Sequence, residues 1–261
     1  MRLFLGIALA ATLAGPVLAA DMGMPMKAPA YEPAFSWTGT YVGANVGGVW
    51  GTFNVNPTTT NNLTGLVSAP AGMDIKNNSL IGGFQAGYNW QIGQWVMGFE
   101  QDYQFTGLKQ TATFAGPVGP FLAGDTMPVK ADYLAATRAR LGMAWDRALF
   151  YAAGGLETGE FDGSATYVAR PGGSPAMGFS DTSKLHFGFN VGAGIDYAVT
   201  NNVFLGVEYR YIDLGKQTYN LGAFTPAAGG AQTVTNPVGL TASPLTARLN
   251  FKLGGLGLFG M

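Results

Sequence analysis

From Trp37 onward, apolar and polar side chains alternate with a period of two, the period of a β-strand. The alternation is clearest over residues 185–197. There Leu185, Phe187, Phe189, Val191, Ala193, Ile195 and Tyr197 form one face, and His186, Gly188, Asn190, Gly192, Gly194 and Asp196 the other. Residues 95–105 repeat it, with Trp95, Met97, Phe99, Gln101, Tyr103 and Phe105 against Val96, Gly98, Glu100, Asp102 and Gln104. Residues 203–211 set Val203, Leu205, Val207, Tyr209 and Tyr211 against Gly206, Glu208 and Arg210. Residues 245–253 set Leu245, Ala247, Leu249, Phe251 and Leu253 against Thr246, Arg248, Asn250 and Lys252. Residues 37–50, 79–91 and 131–145 alternate less cleanly. Residues 148–157 are strand by composition, with Ala and Gly on both faces leaving the orientation open.

The connections alternate in length. Short turns at 92–94, 146–147 and 200–202 separate long polar stretches at 51–78, 106–130, 161–184 and 215–243. Seven connections imply eight antiparallel strands. Short turns on one side and long loops on the other are the pattern of an up-and-down transmembrane barrel, with both chain ends on the periplasmic side. Alternation alone also fits a soluble sheet. The occupancy of the two faces decides between them. The apolar face is bulky and aromatic, while the other carries glycine and nearly all the strand charges, the inverse of a soluble barrel. An open sheet edge is intolerable in lipid, so the sheet must close. Trp90, Trp95 and Trp145 flank the short turns and are expected to form a periplasmic aromatic girdle. Tyr103, Phe105, Tyr133, Tyr209 and Tyr211 are expected to form the outer one.

Composition agrees with this: 40 glycines, 13% aromatic and only 11% charged residues suit a β-rich protein with an apolar exterior. The net charge of −1 speaks against a nucleic-acid partner, and the absence of cysteine excludes a disulfide-stapled scaffold. Residues 1–20 read as a cleaved signal peptide: Arg2, an apolar run from Leu3 to Leu18, then the small residues Ala19 and Ala20. The alternative is an uncleaved anchor, for which the run is short against the roughly 20 residues of a spanning helix. Residues 21–36 read as a Pro-rich periplasmic linker, 37–253 as the barrel and 254–261 as a short extension.

The polar face has its own chemistry. Glu100, Asp102, Asp196 and Glu208 oppose Arg138, Arg140, Arg210, Arg248 and Lys252. Eight strands leave an interior only wide enough for side chains, and buried charges there must pair. Two readings follow: a salt-bridge network that plugs the barrel, the simpler one, or a narrow gated pore that admits small solutes. Enzyme chemistry finds little support. His186 is the only histidine and shares the phase of the inward residues. No further His or Cys could complete a metal site. Gly192-Ala193-Gly194 lies within a period-two run and lacks the helix of a dinucleotide loop. Glu100 and Asp102 read as ion-pair partners of the arginines. The expectation is a non-enzyme without cofactor or metal.

Several segments carry a resemblance. Phe35-Ser36-Trp37-Thr38-Gly39-Thr40-Tyr41-Val42-Gly43-Ala44-Asn45-Val46-Gly47-Gly48 resembles the opening strand of the alphaproteobacterial outer-membrane immunogenic proteins, small porin-like relatives of the OmpA barrel. Gly82-Gly83-Phe84-Gln85-Ala86-Gly87-Tyr88-Asn89-Trp90 resembles their second strand, Arg138-Ala139-Arg140-Leu141-Gly142 their fourth and Val207-Glu208-Tyr209-Arg210-Tyr211 their seventh. The resemblance implies an eight-stranded barrel in a Gram-negative outer membrane, with surface-exposed loops and no catalytic residues. Expected partners are outer-membrane lipids and lipopolysaccharide, and the barrel-assembly machinery during insertion; the oligomeric state is open. One departure concerns the terminal aromatic usual in the family, where this chain has Leu253. Either Phe251 or Phe259 substitutes for it, or insertion is less efficient.

Overall fold

A computed structural model describes residues 35–253 apart from 71, 118–119, 182 and 227–228. The expected signal segment, all but Phe35 and Ser36 of the linker, and the extension 254–261 lie outside the described residues. The described chain forms twelve strands: β1 (Gly39–Val55), β2 (Thr58–Asn61), β3 (Val67–Ser68), β4 (Met73–Ile92), β5 (Trp95–Thr106), β6 (Lys109–Thr113), β7 (Thr126–Trp145), β8 (Ala148–Tyr167), β9 (Met177–Ser180), β10 (Lys184–Ala198), β11 (Val203–Phe224) and β12 (Gln232–Lys252). Eight of them pair in the order β1-β4-β5-β7-β8-β10-β11-β12, all antiparallel. β1 pairs with β12, from Tyr41 opposite Lys252 to Val55 opposite Val238, so the ring of eight closes. The four short strands are additions: β2 lies on β12 and carries β3, β6 lies on β7, and β9 lies on β8.

The short turns are tight. The two-residue turn after β7 places Asp146 at φ 52°, a left-handed conformation that aspartate tolerates better than most residues. Gly93 takes the same role after β4 at φ 61°.

The long connections differ from the sequence expectation. Much of what reads as polar loop is strand: β7, β8, β11 and β12 run 20 to 22 residues each. A strand needs about 9–11 residues to cross a bilayer, so roughly half of each stands beyond it. Along β12 the meaning of the alternation inverts. At the periplasmic end Leu245, Leu249 and Phe251 face outward and Thr246, Arg248 and Asn250 inward. Past Ser243 the outward positions are Thr241, Pro237, Thr235 and Thr233, and the inward ones Ala242, Leu240, Val238 and Val234. The lower half obeys the rule for lipid, apolar side out. The upper half obeys the rule for water, apolar side in.

This orientation has a direct check. Protease added to intact cells is expected to cut within the four long connections and to spare the turns at 92–94, 146–147 and 200–202. Cuts at 92–94 or 200–202 would reverse the assignment of inside and outside.

Candidate functional site

The barrel interior is filled in layers. At the periplasmic end, Phe35, Trp37, Tyr41, Leu149, Ala198 and Phe204 form an apolar cluster. Trp37 is 2% exposed and meets Phe35 and Phe204 edge to face, with ring centroids 4.9 and 5.4 Å apart. Its backbone N–H donates to Gln91 Oε1 at 2.7 Å, which fixes the chain as it enters the barrel. Phe35, in the segment read as linker, is therefore part of the packed interior.

Above this cluster the charged side chains meet. The Arg138 guanidinium contacts Glu100, Asp102 at 3.2 Å and Glu208 at 2.7 Å. Arg140 contacts Asp196 at 2.5 Å and Glu100 at 3.2 Å, and lies 3.8 Å over the Tyr151 ring. Arg248 joins Glu100 and Glu208, the latter at 2.5 Å. Arg210 reaches Asp102 at 3.2 Å, Glu157 at 3.5 Å and Glu208 at 3.6 Å. Two tyrosines complete the layer. Tyr41 Oη donates to Glu100 at 2.6 Å and accepts from Arg140 at 2.7 Å. Tyr151 Oη donates to Glu208 at 2.8 Å and accepts from Arg248 at 2.9 Å. All these groups are buried. Glu100, Glu208 and the four arginines each make two or more such contacts, the condition under which charges can stay ionised away from water.

The layer differs from the sequence reading at two residues. Lys252 lies apart from it: its Nζ donates to the Ser36 carbonyl and sits 5.2 Å over the Phe35 ring, because the last residue of β12 is at the periplasmic rim. Glu157 belongs to it, since β8 directs Leu149, Tyr151, Ala153 and Glu157 inward. The layer thus holds five carboxylates (Glu100, Asp102, Glu157, Asp196, Glu208) and four guanidiniums, against four acids and five bases expected from the sequence.

Glycines make room for the two tyrosines. Gly87 lies opposite Tyr41 and Gly194 opposite Tyr151 on neighbouring strands. A Cβ at Gly87 would lie 2.4 Å from Tyr41 Oη, and one at Gly194 would lie 2.5 Å from Tyr151 Oη. The Gly192-Ala193-Gly194 run therefore serves interior packing within β10.

Over the charges sits a relay of amides. Gln104 donates to Asn45 at 2.8 Å, Asn45 to Gln85 at 2.7 Å and Gln85 to Asn250 at 2.8 Å. The gap left among Asn45, Gln85, Glu100, Arg138, Glu208 and Arg248 is too small for a water molecule. Beyond it, the extracellular half is filled by an apolar core that includes Phe53, Leu134, Phe161, Ile212, Val238 and Leu240. His186 is buried in this upper half, its Nε2 3.1 Å from Tyr219 Oη and its ring 4.2 Å from that of Phe161. Near the top, the buried Arg170–Asp125 pair, 2.6 Å apart, ties the segment before β7 to the one after β8, with Arg170 4.2 Å over Phe224. Outside the membrane-spanning segments, burial raises the Tyr167 and Tyr219 hydroxyls above their ordinary range, which keeps them neutral. A hydrogen bond from Lys130 holds the Asp162 carboxyl below its ordinary range.

On the outer surface Trp90, Trp95 and Trp145 stand exposed at the short-turn end. At the other boundary Tyr103 stacks on Tyr133 at 5.0 Å and meets Phe105 at 5.1 Å.

A closed ring of strands, apolar outside and charged inside over the height of a bilayer, defines a transmembrane β-barrel. Comparison with known proteins gives its kind. The family model described as outer membrane protein beta-barrel domain matches residues 7–235, and the chain belongs to this family of the outer membrane. The 31 kDa outer-membrane immunogenic protein of Brucella melitensis biotype 1 is 33% identical over 207 residues, which cover 78% of this chain and 82% of that protein. The 22 kDa outer membrane protein of Rhizobium leguminosarum bv. viciae is 30% identical over 196 residues, 74% of this chain and 73% of that protein. Among solved structures, the outer membrane protein OprG from Pseudomonas aeruginosa aligns over 83% of this chain and 97% of its own, at 10% identity and a TM-score of 0.45.

Proposed function

We propose that this chain is a structural outer-membrane barrel, closed to solutes, whose service to the cell is the surface it presents: the extended wall and the four long connections. The observation that carries this reading is the filled interior. A solute path would have to cross the aromatic cluster at Trp37, the charge layer at Arg138 and the apolar core around Phe53, Phe161 and Leu240. Opening one layer leaves the other two in place. The non-enzymatic part of the reading draws on His186, which is buried against Phe161 and bonded to Tyr219 rather than set beside a nucleophile. The Brucella relatives are named as immunogenic outer-membrane proteins. In this chain the surface that antibodies would meet is the region above the outer girdle.

Two measurements on one preparation test the proposal. The purified protein is expected to show heat-modifiable gel migration, the mark of a folded barrel. Vesicles containing it are expected to swell in small sugars no faster than protein-free vesicles. Rapid swelling by a heat-modifiable preparation would favour the porin reading instead.

A further inference from the structure

In its upper half the ring of eight strands is not laddered all the way round. The β10–β11 ladder runs from Ala198 opposite Phe204 up to Phe189 opposite Asp213 and ends there. β10 continues along β8 to Lys184 opposite Phe161, and β11 continues along β12 to Phe224 opposite Gln232. The two strands part where β11 shifts register against β12 and Gly215 takes φ 58°. On the other side of the ring the β4–β5 ladder ends at Ile81 opposite Thr106, and β6 pairs with β7. The upper wall is therefore two sheets, β4-β1-β12-β11 and β6-β7-β8-β9, facing each other across the apolar core.

Side chains take over from the ladder along the β10–β11 seam. Lys184 Nζ donates to the Thr218 carbonyl at 2.6 Å, and the Asn220 N–H donates to Asp181 Oδ2 at 2.8 Å. His186 Nε2 lies 3.1 Å from Tyr219 Oη. That hydroxyl donates to the Phe161 carbonyl at 3.0 Å, so it is left to accept from the imidazole. Lys184 and Asp181 are partly exposed, and water competes for their links, whereas His186 and Tyr219 are fully buried. A second buried link, from Tyr167 Oη on β8 to the Leu221 carbonyl at 2.9 Å, holds no group that titrates below neutral pH.

The seat of His186 suits a neutral ring. Counted from Ala198 at the periplasmic end of β10, His186 stands beyond the about 9–11 residues that cross a bilayer. Its ring lies 4.2 Å from that of Phe161 and 6.1 Å from that of Tyr219. On its own strand Lys184 is two residues away, with Nζ 4.9 Å from the Tyr219 ring. The acids near Tyr219 are engaged elsewhere, Asp181 with Lys184 and Asp162 with Lys130, both at 2.8 Å. On β8, Gly159 is opposite His186, and Glu157 two residues along pairs with Arg210. Among the described residues no carboxylate lies within ion-pair distance of the imidazole. Burial, opposed by the Leu214 carbonyl and aided by the Lys184 charge, pushes it down to about 4.

We propose that His186 is an acid-sensitive latch on this seam: once protonated, the ring leaves its apolar seat for water, and the upper part of β11 separates from β8 and β10 while the barrel below stays closed. The sign follows from proton uptake on opening. The latch is fully closed above about pH 6.5, the ordinary imidazole value, and its hold is lost as the pH falls towards about 4. Opening uncovers Phe161, Leu221 and Phe224, so the upper wall presents a different surface in acid. The aromatic cluster and the charge layer lie below the seam, and the inference holds whether or not the interior conducts.

The chain has no cysteine, so a single introduced thiol reports opening. The full chain carrying Leu221→Cys, folded in detergent, is labelled with a pyridyl disulfide at about pH 7.5 and about pH 5, either side of the ordinary imidazole value. Rates are taken relative to free cysteine at the same pH. Labelling is expected to be up to about thirtyfold faster in acid, the ratio set by an imidazole that titrates near 6.5 when open and near 4 when closed. Ala165→Cys, on β8 in the same core, serves as reporter if Leu221→Cys does not fold. Leu149→Cys, in the periplasmic cluster, is expected to stay unlabelled at both values. His186→Gln keeps a donor for Tyr219 without titrating and is expected to abolish the acid response, as is His186→Phe if the glutamine variant does not fold. Asp181→Asn is expected to keep the response. Equal relative rates at the two pH values, an acid response that survives in His186→Gln or vanishes in Asp181→Asn, or parallel labelling of Leu149→Cys would each overturn the proposal.

Discussion

Arg138→Ala is expected to destabilise the folded barrel by about 3–5 kcal/mol, and by less where water enters the vacated space. Arg138 touches three of the interior acids, Glu100, Asp102 and Glu208. Its neighbours still reach those acids after truncation: Arg140 and Arg248 reach Glu100, and Arg210 reaches Asp102. No carboxylate is orphaned outright. The layer's formal balance nevertheless falls from four guanidiniums against five carboxylates to three against five, in a place with no room for solvent. Glu157→Gln is the natural contrast. Among the described residues its carboxylate has a single ion pair, to Arg210 at 3.5 Å. Removing that charge is expected to change stability by about 1 kcal/mol or less. Unfolding of both variants in detergent, followed by gel migration against temperature or urea, gives the ranking. A loss for Glu157→Gln as large as that for Arg138→Ala would contradict the account of the layer as a balanced ion network.

The second large effect belongs to the outer face. Val191 is 52% exposed on β10, between Gly154 and Tyr211, within the bilayer-crossing half of the barrel. Val191→Arg is expected to cost about 2–4 kcal/mol, the penalty for a midplane cation facing lipid. Asn190→Arg, one residue away, turns the same charge inward. Asn190 is 2% exposed, donates to the Leu156 carbonyl at 3.2 Å, and has the acid Glu157 next along β8. The new guanidinium there gains a carboxylate but crowds a packed interior, and the expected loss is smaller than at 191. Refolding into detergent micelles or vesicles, titrated with urea, measures both. The reverse order would mean that the faces of β10 are misassigned.

How much of this was legible in the sequence depends on what each strand face meets. The bilayer-crossing parts of β5, β10, β11 and β12 were plain because lipid and a charged interior demand opposite side chains, so each period-two run declares its own orientation. Most residues of the charge layer followed from that phase. Glu157 did not, because Ala152, Ala153, Gly154 and Gly155 place small residues on both faces of β8. Lys252 was in phase with the interior, but phase says nothing of height, and its position at the rim puts it beside Ser36 and Phe35 instead. The largest omission was the upper wall. Above the membrane the alternation continues with its meaning exchanged, Thr and Asn outside and Val, Leu and Phe inside. A run such as Thr233-Val234-Thr235-Asn236-Pro237-Val238 then looks like a polar loop to a reading that seeks apolar residues on the outer face. Irregular register hides it further. β11 breaks step with β12 between Asp213 and Lys216, where Gly215 takes φ 58°, and β7 slips against β8 between Ala131 and Tyr133.

The central claim is that three different layers close the interior, and ion current through single molecules tests it most directly. Wild-type protein, shown to be folded by gel migration and inserted into a planar bilayer, is expected to give no steady conductance, and Arg138→Ala is expected to stay closed because the aromatic cluster and the apolar core remain. Persistent wild-type channels, with an ion selectivity that shifts towards cations in Arg138→Ala, would contradict the account and establish a charge-lined pore in its place.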